Sequence, residues 1–332
     1  MSPSPIPETV PTGSASMQKP SLYILSEFHP VAVKHADTLF NCIHYDDPRA
    51  TDWRAHASAI LVKDYPITAA DIAAAPHLRA IGKQGVGTDQ INSQACAKAD
   101  VRLFNTPGVN ASAVAELVLG LTLSVARNIP ALWHRQLGGE RIRKETCNGL
   151  LLTGKTIGVI GMGNIGREVA RMFASAFAAS VVAFDPHAPE APATWEDLTY
   201  TRARTLAEVL SVADVVSIHA PLTAETRGLI STEEFILMRP TAILINAARG
   251  GIVDEEALEV ALKTGQIWGA GLDCHVKEPP TLDRYEGLWE SPHLVGVPHV
   301  GAATDETQIA TTNAATDQLY AYMIGIGNKQ ML

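Results

Sequence analysis

Beyond residue 20, short apolar runs alternate with segments in which apolar positions recur at helical spacing. "SLYILS", "SAILVKD", "LRAIGKQG" and "VRLFNTP" have the length of buried strands, and "ITAADIAAA" and "INSQACAKAD" between them have helical periodicity. They predict one small parallel α/β unit. An apolar helix is predicted from about Ala111 to Asn128, followed by a polar stretch, "GGERIRKETCNG", that reads as an arm or a helix end. From Thr156 a second series begins: "TIGVIG", "SVVAFD", "DVVSIHA", "AILINAAR", "WGAGLDCH" and "HLVGVPHV", with helical segments such as "TLAEVLSVA" and "DEEALEVALKTG" between them. Six strands with helical crossovers predict a doubly wound parallel sheet, so the expected class is α/β. The last long segment, "ATDETQIATTNAATDQLYAYMIGI", predicts one helix, and its few large apolar residues, including Leu319, Tyr320 and Met323, are expected to pack it back on the first unit.

With 332 residues, 46% of them hydrophobic, the chain is long enough for two domains with a substantial core. A formal net charge of -9 argues against a generally basic surface for nucleic acid or anionic membrane. The four cysteines are scattered and form no CxxC pair, so neither a disulfide framework nor a zinc site is expected. A reducing compartment, the cytoplasm, is the expected location. The longest apolar stretch, "LVLGLTLSVA" at 117 to 126, is too short to span a bilayer and follows Glu116 directly, which predicts a buried helix. The first twenty residues are rich in Pro, Ser and Thr, lack an apolar signal region and predict a disordered tail.

In "TIGVIGMGNIGREVARMF", Gly161, Gly163 and Gly166 stand in GxGxxG spacing directly after an apolar strand and at the start of a helix. The first glycine permits a tight turn, the second a close approach to a pyrophosphate, and the third close packing of helix on strand. The helix N-terminus offers unpaired N–H groups and a partial positive charge. The next strand ends at Asp185, nineteen residues past Gly166, where a carboxylate can accept hydrogen bonds from ribose hydroxyls and repel a 2'-phosphate. No arginine adjoins it along the chain, which favours NAD over NADP.

Arg249, Glu278 and His299 follow predicted strands in positions that an inert sheet does not require. Ligands of open parallel sheets bind beyond the carboxyl ends of the strands, so the three residues are expected to converge on one crevice. Hydride transfer to a ketone asks for such a set. Negative charge builds on the carbonyl oxygen, and a histidine, with a pKa near neutrality, suits the delivery of a proton to it. A carboxylate on the other ring nitrogen fixes the tautomer and stabilises the imidazolium. An arginine can hold a substrate carboxylate by two hydrogen bonds and polarise the adjacent carbonyl.

The motifs "KQGVGTDQI", "NTPGVNASAVAELVLGLTLSVAR", "GKTIGVIGMGNIGREVA", "HAPLTAETRGLI", "INAARGGIVDEEAL", "GLDCHVKEPP" and "PHVGAAT" occur in order between about residues 59 and 305. Through them the chain resembles the D-isomer-specific 2-hydroxyacid dehydrogenases, most closely their D-3-phosphoglycerate dehydrogenase branch. The resemblance implies that Arg249 binds substrate, that His299 is the general acid/base and that Glu278 is its partner. It places Asn164, Ile165, Ala220, Pro221, Thr226, Ala247, Asp273 and Ala302 at the cofactor beside the fingerprint glycines. It further implies a nucleotide domain, 107–302, inserted into a discontinuous substrate domain, 21–106 and 303–332, with hinges near Pro107 and Ala303. Homodimers through the inserted domain are implied too, with the arm at 129 to 150 as the interface. In the first domain, the Val86 and Gly87 N–H groups form an anion-binding turn suited to a substrate carboxylate. Lys63 and Lys83 fall where the phosphoglycerate branch carries arginines toward a phosphate.

Departures from the family pattern qualify these expectations. Cys274 and His275 stand where the family has an apolar pair, and the two lysines offer point charges in place of bidentate arginines. The chain stops after the closing helix, so serine feedback through a C-terminal regulatory domain is not expected. The expected substrate is a small 2-hydroxy or 2-oxo acid, with 3-phosphoglycerate preferred and a glyoxylate or hydroxypyruvate reductase as the alternative. Carboxy-terminal-binding-protein corepressors, which use NAD to control assembly, are a lower alternative. Formate oxidation is disfavoured because that branch has glutamine where Glu278 stands.

Overall fold

The computed structural model describes residues 19–190 and 192–325. The tail expected over residues 1–20 lies outside the described residues except for Lys19 and Pro20, as do the last seven residues of the chain.

The first sheet has five parallel strands, β1 (Ser21–Ile24), β2 (Asn41–Ile43), β3 (Ala59–Val62), β4 (Ala80–Lys83) and β5 (Arg102–Phe104), in the order β2-β1-β3-β4-β5. Between them run α1 (Pro30–Leu39), α2 (Trp53–His56), α3 (Ala69–Ala73) and α4 (Ser93–Lys98). Four strands fall on the apolar runs. β2, α1 and α2 are additions that the periodicity did not reveal. β2 has three residues, one of them exposed, and so no apolar run marks it. α1 opens with Pro30 in its first turn, where a missing N–H costs nothing, and the His29 side chain accepts from the Val31 N–H.

The chain then forms α5 (Ala111–Ala126) and α6 (Ile129–Leu137), separated at Asn128, whose φ of 52° lies in the left-handed region. α5 ends two residues short of the predicted boundary for that reason. Its Val118, Leu121 and Val125 pack among Ile157, Val159, Ile243 and Ile245, as expected of a buried helix, whereas α6 buries none of its residues. Among the described residues no single helix is long and apolar enough to cross a membrane.

The second sheet has seven parallel strands, β6 (Thr156–Ile160), β7 (Ser180–Phe184), β8 (Thr201–Arg202), β9 (Val215–Ile218), β10 (Ile243–Asn246), β11 (Gly269–Leu272) and β12 (Leu294–Gly296), in the order β12-β11-β10-β9-β6-β7-β8. The intervening helices are α7 (Asn164–Phe177), α8 (Leu206–Val212), α9 (Thr232–Leu237), α10 (Glu255–Lys263) and α11 (Leu282–Trp289). Every residue of β9, β10 and β11 is buried, and strands covered on both faces read as continuous apolar runs. The two-residue edge strand β8 escaped the pattern. The final helix, α12 (Asp305–Met323), does pack on the first sheet: Ala315 and Leu319 lie among Leu22, Ile24, Leu61 and Ala80.

Candidate active site

The fingerprint has the geometry that a dinucleotide needs. Gly161, following β6, has φ +98°, and a Cβ there would lie 2.7 Å from the His219 carbonyl. A Cβ on Gly166 would lie 2.1 Å from the Gly161 oxygen, so α7 approaches β6 only because that residue has no side chain. Gly163 caps α7 without a side-chain hydrogen bond, and nothing stands within 4 Å of where its Cβ would be. An open helix N-terminus with unpartnered N–H groups fits a pyrophosphate. Asn164 and Ile165 begin that helix, and the Asn164 amide lies against Gly108 on the segment linking the two sheets.

Asp185 ends β7. Its Oδ2 accepts the Met162 N–H at 2.9 Å, and its Oδ1 accepts the N–H groups of His187 at 2.9 Å and Ala188 at 3.2 Å, leaving lone pairs for a ribose. The absence of an adjacent arginine holds along the chain but not in space. Pairing of β8 with β7 brings Arg202 to this loop, where its guanidinium donates to the carbonyls of Asp185, Ala188 and Pro189 and makes no ion pair with the carboxylate. The Ala220 N–H borders Gly161. Thr226 donates its hydroxyl to the Pro221 carbonyl at 2.6 Å and so braces its own loop, while Ala247 and Ala302 lie beside Arg249 and the His299 turn. His219, which follows β9 and was not expected at the site, joins this wall: its Nε2 meets the Ser217 hydroxyl at 2.8 Å, its Nδ1 has no partner, and burial pulls its pKa down to about 3.

Because β10, β11 and β12 are neighbours, Arg249, Glu278 and His299 emerge side by side. Glu278 Oε2 bonds His299 Nδ1 at 2.9 Å, and Glu278 Oε1 accepts the His275 N–H at 3.1 Å. The hydrogen bond to Glu278 raises the His299 pKa against the effect of burial. Burial alone would push the Glu278 carboxyl up, and its bond to His299 brings it below the usual range. With Nδ1 engaged, Nε2 is the ring nitrogen left for an incoming group. His299 itself has φ +56°, and Asp273 holds it there. The Asp273 carbonyl accepts the His299 N–H at 2.8 Å, and its carboxylate accepts those of Val300 at 2.6 Å and Gly301 at 3.0 Å. Asp273, expected at the cofactor, braces the turn with one N–H group on each carboxylate oxygen.

Asp273, Cys274 and His299 bring ligand-type atoms within 4.8 Å of one another. Both Asp273 oxygens already hold N–H groups and burial pushes the Cys274 thiol up, so the trio is poorly suited to a cation.

On the side of the first sheet, the loop after β4 meets Arg249. A Cβ on Gly87 would fall 1.6 Å from Arg249 Nη2, so the guanidinium lies directly on the Val86–Gly87 turn. Arg249 also donates to Asp89 at 3.2 Å, an acid in the same motif whose role the sequence did not reveal. Lys83 Nζ donates to its neighbour's carbonyl, Gln84 O, at 2.6 Å, and burial lowers its pKa against the pull of Asp64. Lys63 stands apart, in a crevice lined by Ser26, Glu27, His29, Asp64 and Gln308.

Residues 119–301 match the D-isomer specific 2-hydroxyacid dehydrogenase, NAD binding domain. The chain is 38% identical to a D-3-phosphoglycerate dehydrogenase of Methanocaldococcus jannaschii over 76% of its length and 47% of that protein's, so it spans about half of this relative. It is 39% identical to a hydroxypyruvate reductase of Thermotoga maritima over 73% of its own length and 76% of the reductase. In structure it is similar to an NADPH-dependent glyoxylate/hydroxypyruvate reductase of Sinorhizobium meliloti, with a TM-score of 0.81 and 28% identity, covering 92% of this chain and 96% of that one.

Replacing Asp273 with Ala strips two acceptors from the His299 turn. Urea denaturation is expected to show a loss of about 1–3 kcal/mol, with Asp273→Asn intermediate.

Proposed function

The chain belongs to the D-isomer-specific 2-hydroxyacid dehydrogenase family, and we propose that it interconverts a D-2-hydroxy acid and its 2-oxo acid with NAD. The observation that carries this reading is the Glu278–His299 pair beside Arg249, on three adjacent strand ends of the sheet that bears the glycine cradle. In this reading the Arg249 guanidinium and the Val86 and Gly87 N–H groups hold the substrate carboxylate. Bound NADH supplies the hydride. His299 Nε2 donates a proton to the carbonyl oxygen, and Glu278 stabilises the imidazolium before transfer. In oxidation a neutral His299 accepts the hydroxyl proton. The preference for NAD rests on Asp185, whose carboxylate would face a 2'-phosphate while Arg202 is engaged with carbonyls.

The preferred substrate pair is 3-phosphoglycerate and 3-phosphohydroxypyruvate, supported by Lys83, whose ammonium lies beside Gly85 at the start of the Val86–Gly87 turn, and by the likeness to phosphoglycerate dehydrogenase, whereas Lys63 stands apart from that turn. A second reading, a glyoxylate or hydroxypyruvate reductase, is favoured by Asp64 and Asp89, which offset the charge of Lys83. The division into a substrate domain, 21–106 with the segment from 303, and a nucleotide domain, 107–302, belongs to the same proposal, with closure about Pro107 and Ala303 excluding water. We assign the homodimer interface to α6, where Ile129, Trp133 and Leu137 expose 53%, 61% and 66% of their surface at i, i+4 and i+8.

Reduction requires protonated His299 and oxidation the neutral ring. Since Glu278 raises the His299 pKa, kcat/KM for reduction is expected to begin to fall only at a pH above the ordinary histidine value of about 6.5, with oxidation rising over the same window. His299→Gln is expected to lower turnover of every 2-oxo acid by about 10²–10⁴-fold; unchanged turnover rejects the catalytic assignment and leaves the corepressor-like alternative. Lys83→Ala should cut kcat/KM for 3-phosphohydroxypyruvate by roughly tenfold or more and spare glyoxylate, and equal losses would remove the phosphate reading. Sedimentation velocity should show Trp133→Glu as a monomer at concentrations where the unaltered chain is a dimer.

A further inference from the structure

The loop that presents Glu278 is held by three successive N–H groups. The His275 N–H donates to Glu278 itself, the Val276 N–H to Glu255 Oε1 at 2.8 Å, and the Lys277 N–H to the Tyr285 hydroxyl at 2.9 Å. Tyr285 in turn donates to the Lys277 carbonyl at 3.4 Å. Glu255 is the first residue of α10, and Tyr285, buried in α11, packs its ring on those of His275 and Trp289 at 5.1 and 5.7 Å. Gly250 presses on the same backbone from another direction: a Cβ there would lie 1.9 Å from the His275 oxygen and 2.6 Å from the Val276 nitrogen. The His275–Val276 peptide is thus fixed between Gly250 and the carboxylate of Glu255 on the same segment.

Resting on the assignment of Glu278 and His299 as the proton-handling pair, we propose that Glu255 and Tyr285 are positioning residues that hold Glu278 against His299 through this loop. A two-point hold is what the task requires. Glu278 and His299 sit on separate loops, and their 2.9 Å bond persists only while both backbones stay in place. Without the Glu255 and Tyr285 acceptors, the Val276 and Lys277 N–H groups turn to water and the loop gains freedom. His299 then loses the partner that favours its charged form. The other groups that act on His299 are Asp273 and His275 on the segment after β11 and Arg249 after β10, with Asp89 and Lys83 facing Arg249 from the first sheet. Those around Glu255 are Tyr285 and Arg284 of α11 and Asp254 at the start of α10.

The test is an NMR titration of the His299 imidazole in the full-length chain, assigned by its loss in His299→Gln, with Glu255→Ala, Glu255→Gln and Tyr285→Phe in parallel. The pH profile of kcat/KM for 2-oxo acid reduction is measured on the same proteins. Glu255→Ala and Tyr285→Phe are each expected to lower the His299 pKa by about half a unit to one unit and to move the alkaline limb of reduction down with it. Glu255→Gln keeps an oxygen acceptor for Val276 and should titrate like the unaltered chain. The proposal is overturned if His299 keeps its pKa in both Glu255→Ala and Tyr285→Phe, whatever happens to turnover. It is also overturned if Glu255→Gln shifts as far as Glu255→Ala, since the charge of Glu255 would then be the cause. Because the titration needs no turnover, failure of the catalytic assignment shows separately, as undiminished activity of His299→Gln.

Discussion

The hydrogen bond between Glu278 and His299 is the interaction on which the rest of the site depends. It joins two loops that are far apart in the chain and adjacent only because β11 and β12 are neighbours in the sheet. Parallel order also puts both loops at the same end of the sheet as Arg249 and the glycine cradle. Had any of these strands run antiparallel, its polar residue would have emerged at the opposite edge. The chemistry is therefore inherited from topology: a sheet whose strands are buried on both faces has only its ends to offer to a ligand.

Electrostatics at the mouth of the crevice follow from the same arrangement. Arg249 leaves a buried strand with its guanidinium on the Gly87 backbone and an ion pair to Asp89. On the proposed reading, a substrate carboxylate arriving there would meet a cation that already has a partner, so binding would exchange one carboxylate for another and would not create an ion pair from solvated charges. The gain is then smaller than the bare attraction of two ions and depends on bidentate geometry, which Asp89, through one oxygen at 3.2 Å, does not supply. Shape is thereby weighted over charge in what the arginine selects.

Much of this was legible in the sequence, for a physical reason. The glycine spacing, Arg249 and Glu278 follow the buried strands β6, β10 and β11, whose continuous apolar runs fix where their ends fall, and Asp185 and His299 follow β7 and β12, which are only partly buried but still apolar enough to read as runs. β2 and β8 left no such run because they have three and two residues at the sheet edges. Arg202 was invisible because its place beside Asp185 is created by strand pairing, not by proximity along the chain. Asp89 sat inside a motif whose glycines drew the interpretation, yet its effect lies on a residue 160 positions away. Glu255 looked like an ordinary acid in the first turn of a helix, where such residues are favoured in any case. Hydrogen bonds from side chain to backbone leave no compositional trace, and they are what braces this site.

Asp273 shows how the site tolerates strain. Holding His299 at φ +56° costs on the order of 1–3 kcal/mol for a residue with a side chain, and burying a carboxylate that is 1% exposed is unfavourable unless its oxygens are hydrogen-bonded. Each cost is offset by the other. The left-handed residue turns the next two N–H groups onto the carboxylate, and the carboxylate in turn keeps the backbone left-handed. A relaxed backbone at His299 would leave Asp273 buried without partners, and an apolar residue at 273 would free the turn to relax and swing the imidazole away from Glu278. The orientation of the ring is thus set by a buried carboxylate that need not touch the substrate.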